Sequence, residues 1–538
     1  MTTETNALEV LARQVGTSTT GTLSINGQLT VEDVVAAADG RPCEVPAEAL
    51  ERCAAGTRFL GELGAANRVV YGYTTGFGPM AHYLVNPSLA DKLQRNLLTS
   101  LSSGLGELCS AREGRAVLCA RLNSLSQGYS AVRPEVLQIL LTWLNRGLAP
   151  AIPLRGTVGA SGDLTPLAHL ARTLMGEGHA YLNQELLPAH EAIGRAGVAP
   201  YRPEGRDSLG LVNGVSAMAG IAALNAVGAD QLWHWCARLG ALHAEIFEAY
   251  ESAFHPLVGK VRPQPGIVYT LEVMRTAFAG SPTIQRFEPI PPFAEAPAAE
   301  QRTFDQVRMP QDPYSIRCIP QILGAAWDVL AFHRQVVETD LNSVTDNPIF
   351  DAPNQQVVHA GNFQGQHVAF ASDALAMAII QLAVLAERQI ARLTDPMFNQ
   401  GLPAFLQGDD TGLQSGFQGA QVTASATVAE MRTLALPASC QSIPTNANNQ
   451  DVVSMGTIAA RKTAKLLVHL SEVLAIQGLA LAQASDLKQR QGIAFSPSGV
   501  AVCHTVRGVS PYLHEDRPLR DEITTLAQLM REASPPAP

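Results

Sequence analysis

Gly159-Ala160-Ser161-Gly162-Asp163 is a run of nearly absent side chains, and a loop of this kind can turn its own backbone into an electrophile. Gly162 has no Cβ, so its amide nitrogen can fold back onto the carbonyl carbon of Ala160, while Gly159 opens the backbone angles that such a closure needs. Closing that ring and dehydrating Ser161 leaves a methylidene-imidazolone, an exocyclic alkene conjugated to a carbonyl. No ordinary side chain is electrophilic in this way. The same five residues also suit a plain glycine-rich turn, and the residues that follow weigh against that reading. Thr165-Pro166 reads as an N-cap and first-turn pair. Leu167, Leu170, Ala171, Leu174 and Met175 form a stripe at helical spacing that stops at Gly176 and Gly178. The loop is therefore expected at a helix N-terminus, where the positive end of the dipole withdraws electron density. A serine-hydrolase elbow fits poorly, since Asp163 stands where that motif requires its second glycine.

The run Gly156-Thr157-Val158-Gly159-Ala160-Ser161-Gly162-Asp163-Leu164-Thr165-Pro166-Leu167-Ala168 resembles the signature of the aromatic amino acid ammonia-lyases and aminomutases. Six further blocks resemble that family in its own order: the stretch from Tyr71 to Gly78, Leu211-Val212-Asn213-Gly214, the stretch from Gln311 to Cys318, Thr345-Asp346-Asn347-Pro348, Gly361-Asn362-Phe363 and Asn449-Gln450-Asp451. The resemblance implies a fold of the fumarase/aspartase-like superfamily. It also implies a prosthetic group, 4-methylidene-imidazol-5-one (MIO), formed autocatalytically from Ala160, Ser161 and Gly162, with no metal and no nucleotide.

Such an enzyme must take a barely acidic hydrogen from a β-carbon and expel ammonia, a poor leaving group. An electrophile that alkylates the amine improves the leaving group; whether the amine or the ring attacks it stays open. Tyr71 resembles the family's catalytic tyrosine, and a phenol with an ordinary pKa of ~10 serves as base only where positive dipoles lower it. Arg317 is the natural carboxylate clamp, because a guanidinium offers two parallel donors. Tyr314, three residues earlier, shares its side of a helical turn and by resemblance contacts the electrophile or the substrate ammonium. By resemblance, too, Asn213 would hydrogen-bond the prosthetic ring and Phe363 would pack on it. Gln311, Asn449 and Gln450 are candidates for polar contacts and Glu430 for proton handling; buried polar residues of a helix bundle fit the same positions. In the family these pieces meet in a homotetramer with shared active sites.

Selectivity should reside in the stretch from Asn96 to Gly104. Histidine-specific relatives carry Ser-His at the pair aligned with Ser100-Leu101, tyrosine-specific ones His-Leu and phenylalanine-specific ones Phe-Leu, so this chain matches none fully. Leu101 leaves no imidazole partner, and Ser100 is small enough to admit a para substituent. The expectation is an ammonia-lyase for phenylalanine, tyrosine or a ring-substituted analogue. An aromatic amino acid 2,3-aminomutase is the alternative, and histidine ammonia-lyase a lesser one.

These residues need a large helical frame. A chain of 538 residues exceeds one ordinary domain, and its alanine- and leucine-rich segments favour helix over strand. The expected fold is all-α: an N-terminal, mostly helical globular domain over 1–205 with the Tyr71 and Ala160-Ser161-Gly162 loops, a long-helix bundle over 206–487, and a C-terminal helical segment over 488–538. Long helices are expected over Val215–Phe254, Cys318–Leu341, Ala369–Leu393, Ala420–Thr433 and Met455–Leu487, with a proline-rich functional loop over Gly280–Pro313 and a frayed tail from Ala533. A formal charge of −10 without a basic block gives nucleic acid nothing to bind. Ala374–Ala386, interrupted by Gln381, falls short of the ~20 residues of a membrane span. Met1–Thr20 lacks signal-peptide order. Eight scattered cysteines without zinc spacing read as buried thiols of a cytoplasmic protein. The purified chain should weigh two water molecules less than its sequence by intact-mass spectrometry; an undiminished mass would favour a fumarase-type relative with an ordinary base.

Overall fold

Eighteen α-helices form among the described residues, which are 21–286, 311–408 and 412–537 of the computed structural model. The N-terminal segment 1–20 and most of the proline-rich loop, 287–310, lie outside them. The protein is mostly helical, with short strands only, the largest sheet joining Leu148–Pro150, His179–Leu182 and Glu185–Pro188. Contacts divide the chain into two compact units. One takes the described residues up to Val227 with Ala331–Leu375 and Leu436–Ala464; the other takes those of Gly228–Leu330, Ala376–Ala435 and from Lys465 onward. Composition suggests consecutive regions instead. The difference arises because four of the unit boundaries fall inside the long helices Ser216–Ile246, Ile319–Leu341, Gln366–Thr394 and Gly456–Arg490.

Those helices and Gln418–Thr433 start and end within a turn of the expected positions, with one exception. The helix expected to reach Phe254 stops at Ile246, where Glu248 turns to a φ of +50° and the Ala249 N–H bonds back to Ala244 O at 3.0 Å. Glu251–Phe254 is a separate 3-10 turn.

The first unit is built around the helix Ala111–Ser126, which opens on a Ser110/Glu113 capping box and is buried at 14 of its 16 positions. Helices Val31–Ala38 and Pro134–Asn145 pack on it. Its buried polar side chains reach distant backbone: Asn123 Nδ2 donates to Leu341 O at 2.9 Å and Ser124 Oγ to Ser343 O at 3.0 Å. In the second unit, Trp327 meets Trp233 at 4.6 Å and Tyr269 at 4.4 Å between ring centroids. The Trp235 indole N–H donates to Ala533 O at 2.8 Å, so the tail expected to fray is tied down at its first residue.

The apolar stretch around Ala374–Ala386 belongs to a 29-residue helix that, like Gly456–Arg490, is long and apolar enough to cross a membrane. Most of each apolar window, 67% and 83%, is nevertheless buried in protein. Six of the eight cysteines are buried thiols; Cys318 is half-buried and Cys440 is exposed, contrary to expectation.

Arg206 ties three segments of the first unit together. Fully buried, it grips the equally buried Asp346 at 2.8 and 3.0 Å and donates to Ser130 O and Asn347 O. Arg206→Met would leave Asp346 buried without its partner, a loss of about 3–5 kcal/mol that should appear as a lower urea midpoint. A midpoint equal to that of the unaltered protein would contradict this account.

Candidate active site

The chain between Val158 and Asp163 is held by its backbone. Met455 N–H donates to Val158 O at 2.9 Å, Gly159 N–H to Thr157 Oγ1 at 3.1 Å, and Thr157 Oγ1 to Gly162 O at 3.3 Å. Gly214 grips the loop on both sides of Gly162: Asp163 N–H donates to Gly214 O at 2.8 Å, and Gly214 N–H to Ser161 O at 3.4 Å. Among the described residues no acceptor takes the Gly162 N–H. A Cβ on Gly162 would collide with Gly214 O. Ser161 has a φ of +48°, a left-handed conformation that a non-glycine residue adopts at a cost. An unbonded amide nitrogen, glycine at the crowded position and a strained serine are what ring closure requires, so these residues fit the implied prosthetic group.

The helix behind the loop begins two residues earlier than the sequence indicates. It spans Leu164–Leu174 with Asp163 at the N-cap position, so Thr165 and Pro166 lie inside its first turn. The Asp163 carboxylate makes no capping bond. It accepts from Met218 N–H at 2.8 Å and from the Thr457 hydroxyl, tying the loop to two other helices.

Tyr71 is positioned by its own turn. Thr74 and Thr75 accept from Val70 and Gly72 N–H at 2.8 and 3.0 Å, and Tyr71 Oη accepts from Gly78 N–H at 2.8 Å. Gln94, buried in the helix Ala90–Leu101, donates to Gly72 O at 2.7 Å and accepts from Leu209 N–H at 2.9 Å, joining the tyrosine loop to the segment leading to Asn213. Nothing in the sequence marks this glutamine, because both partners are backbone groups distant in the chain.

Tyr71, Ala160, Ser161, Ser100, Leu101, Asn213, Phe363, Asn449 and Gln450 line one cavity of about 790 Å³ in the first unit. That volume suits a small organic ligand. Gly162 lies outside the lining, packed on Gly214. Gln450 Nε2 reaches Ser161 Oγ at 3.4 Å. Both hydrogens of the Asn213 amide are engaged, by Asp346 Oδ1 at 2.9 Å and Asn347 O at 3.0 Å, so in this arrangement they are not offered to a ring oxygen. Ser100 Oγ donates to Leu97 O at 3.0 Å, which leaves its oxygen as an acceptor. Asn347, from the Thr345-Asp346-Asn347-Pro348 block, also lines the cavity, as do Gln364 and Asn446, which no sequence motif marks.

Gln311, Tyr314, Arg317 and Glu430 belong to the second unit and do not line this cavity. Tyr314 and Arg317 share a one-turn helix, with the guanidinium 4.7 Å from the ring centroid in a cation–π contact. Arg317 Nε is buried without a partner, while Tyr314 is 69% exposed. Glu430 is fully exposed and pairs with Lys465 at 3.0 Å, whose hydrogen bond holds the carboxyl below its ordinary pKa.

Residues 29–508 match the family model described as aromatic amino acid lyase. The chain belongs to that family. It is an ammonia-lyase family enzyme, similar to the tyrosine ammonia-lyase of Cereibacter sphaeroides at 45% identity, over 90% of this chain and 93% of that one. The histidine ammonia-lyase of Gloeobacter violaceus is 40% identical over 94% of each chain. The MIO-dependent tyrosine 2,3-aminomutase of Streptomyces globisporus is 39% identical over 94% of each. A crystal structure of the tyrosine aminomutase from Streptomyces globisporus matches with a TM-score of 0.89 and 36% identity, over 95% of this chain and 97% of that one.

Burial pushes the Asp163 carboxyl up from 3.8 to about 6, against the opposing pull of its hydrogen bonds to Thr457 and Met218. Between these values the folded lyase binds a proton that the unfolded chain lacks, so this residue makes stability fall as pH rises from about 4 to about 6. Urea titrations of Asp163→Asn should lose that component of the slope; parallel curves for the variant and the unaltered protein would contradict the assignment.

Proposed function

We propose that this lyase eliminates ammonia from L-tyrosine, L-phenylalanine or a ring-substituted analogue to give the trans-arylacrylate. The observation that carries the reading is one cavity wall that combines Tyr71, the cyclisable Ser161 and the Ser100-Leu101 pair. Ala160, Ser161 and Gly162 would hold MIO, which would supply the electrophile that makes ammonia the better leaving group. The chain's own side chains do the rest.

Leu93, Leu97 and Leu101 present an apolar wall to an aromatic ring. Ser100 Oγ, with its hydrogen committed to Leu97 O, accepts from a para hydroxyl. Tyr71 Oη, fixed by the Gly78 N–H, takes the β-proton. The reading includes a homotetramer with shared active sites, in which Arg317 holds a substrate carboxylate, Tyr314 meets the ammonium and Glu430 assists proton handling in the pockets of other copies. Imidazole finds no partner at Leu101, and a buried polar group without one costs ~1–3 kcal/mol, so histidine should turn over ~5- to ~150-fold more slowly.

A 2,3-aminomutase is the second reading, favoured by the likeness to the Streptomyces globisporus enzyme. Product analysis with L-tyrosine, L-phenylalanine and L-histidine tests both. Arylacrylate with free ammonia is expected, and Ser161→Ala should abolish it while leaving assembly intact. An isobaric β-amino acid would make the protein a mutase. Comparable rates on histidine would overturn the substrate assignment.

A further inference from the structure

Gly214 meets more than the loop. Its carbonyl lies against Gly162, while a Cβ on its own Cα would strike Arg121 Nη1 and lie 2.7 Å from Thr345 Oγ1. Arg121 is fully buried in the central helix Ala111–Ser126. Its Nη2 donates to Gly210 O and its Nη1 to Ser216 Oγ at 3.4 Å, which places one guanidinium across both ends of the segment that carries Asn213 and Gly214. Nε has no partner.

The charged groups around it are Asp346 and Asp163, which favour its cationic form, and Arg206, which opposes it. Burial brings its pKa down to about 10, so it stays charged at neutral pH. A buried guanidinium is expensive to desolvate. The fold therefore calls for an account of why a cation stands here.

We propose that Arg121 is a positioning residue for closure of the Ala160-Ser161-Gly162 ring, an inference that rests on the reading of this loop as self-cyclising. By pinning Gly210 and Ser216 and filling the space at the Gly214 Cα, it fixes the Gly214 peptide where that peptide crowds Gly162. The Gly162 N–H is left without an acceptor among the described residues. In the closure, the Gly162 nitrogen bonds to the Ala160 carbonyl carbon. The Ala160 oxygen leaves as water with the Gly162 and Ser161 amide hydrogens. A second water takes the Ser161 hydroxyl and its Cα hydrogen, forming the exocyclic double bond. Arg121 exchanges no atom in either step; it holds the geometry in which the first bond forms. Displacement of reacting atoms by about 1 Å can slow a reaction ~10²-fold.

The test follows intact mass against time after cell-free synthesis of the full chain, with circular dichroism and size-exclusion chromatography on the same samples. The unaltered chain should reach a deficit of two waters. Arg121→Met should fold and keep both waters for ~10²-fold longer. Arg121→Lys, which restores charge without the fork, should recover part of the rate. A folded Arg121→Met that loses two waters as fast as the unaltered chain overturns the proposal and leaves the cyclising loop intact. Absence of the deficit in the unaltered chain overturns both. If neither variant folds, Arg121 belongs to the fold and the proposal is wrong.

Discussion

Two peptide units stripped of side chains, Gly162 and Gly214, lie so close that a methyl group on Gly162 would be driven into the other's carbonyl. That contact, together with the Met455 and Thr157 hydrogen bonds, sets the conformation between Val158 and Leu164. It holds Ser161 at a positive φ, leaves the Gly162 nitrogen without an acceptor and passes the chain directly into a helix through Asp163. Strain of this kind persists only where the surroundings over-determine it. Here the surroundings are buried charges: Asp163 tied to Met218 and Thr457, Arg121 against Gly214, and Asp346 bound by Arg206 and Asn213.

These groups are costly to bury, and they cluster around the loop whose chemistry calls for a fixed geometry. The long helices supply the rigidity. The central helix Ala111–Ser126 delivers Arg121, and Ser216–Ile246 begins where Asp163 accepts from Met218. The cavity in front of the loop is apolar along one helix face and polar along the strained turn that contains Asn446, Asn449 and Gln450. Such a division suits a substrate with an aromatic ring at one end and charged groups at the other.

Much of this was legible in the sequence, for a physical reason. The reactive loop is contiguous, so Gly159 to Asp163 and the helix after it announce themselves by composition and spacing. Long helices advertise their period, and four of five begin and end where expected. What was hidden is chiefly the pairing of polar residues across the chain. Gln94, Arg121 and Asp346 bond to partners 22 to 140 positions away, and no local pattern encodes such a distance. Local composition marks Asp163 only as the end of a loop, whereas its carboxylate is an anchor, because its partners lie on helices that begin more than fifty residues later. The stop at Ile246 is invisible in the sequence because a glutamate in left-handed conformation leaves no compositional mark. Tyr314 and Arg317 form a local pair as their spacing suggests, yet they stand on the second unit, a division invisible to any linear reading.

The central claim is that this backbone is built to close on itself, and a crystal structure at a resolution that shows individual atoms tests it most directly. The account predicts continuous density at covalent distance between the Gly162 nitrogen and the Ala160 carbonyl carbon, with a planar Ser161 Cα double-bonded to its Cβ. An open peptide with an intact serine hydroxyl would contradict it.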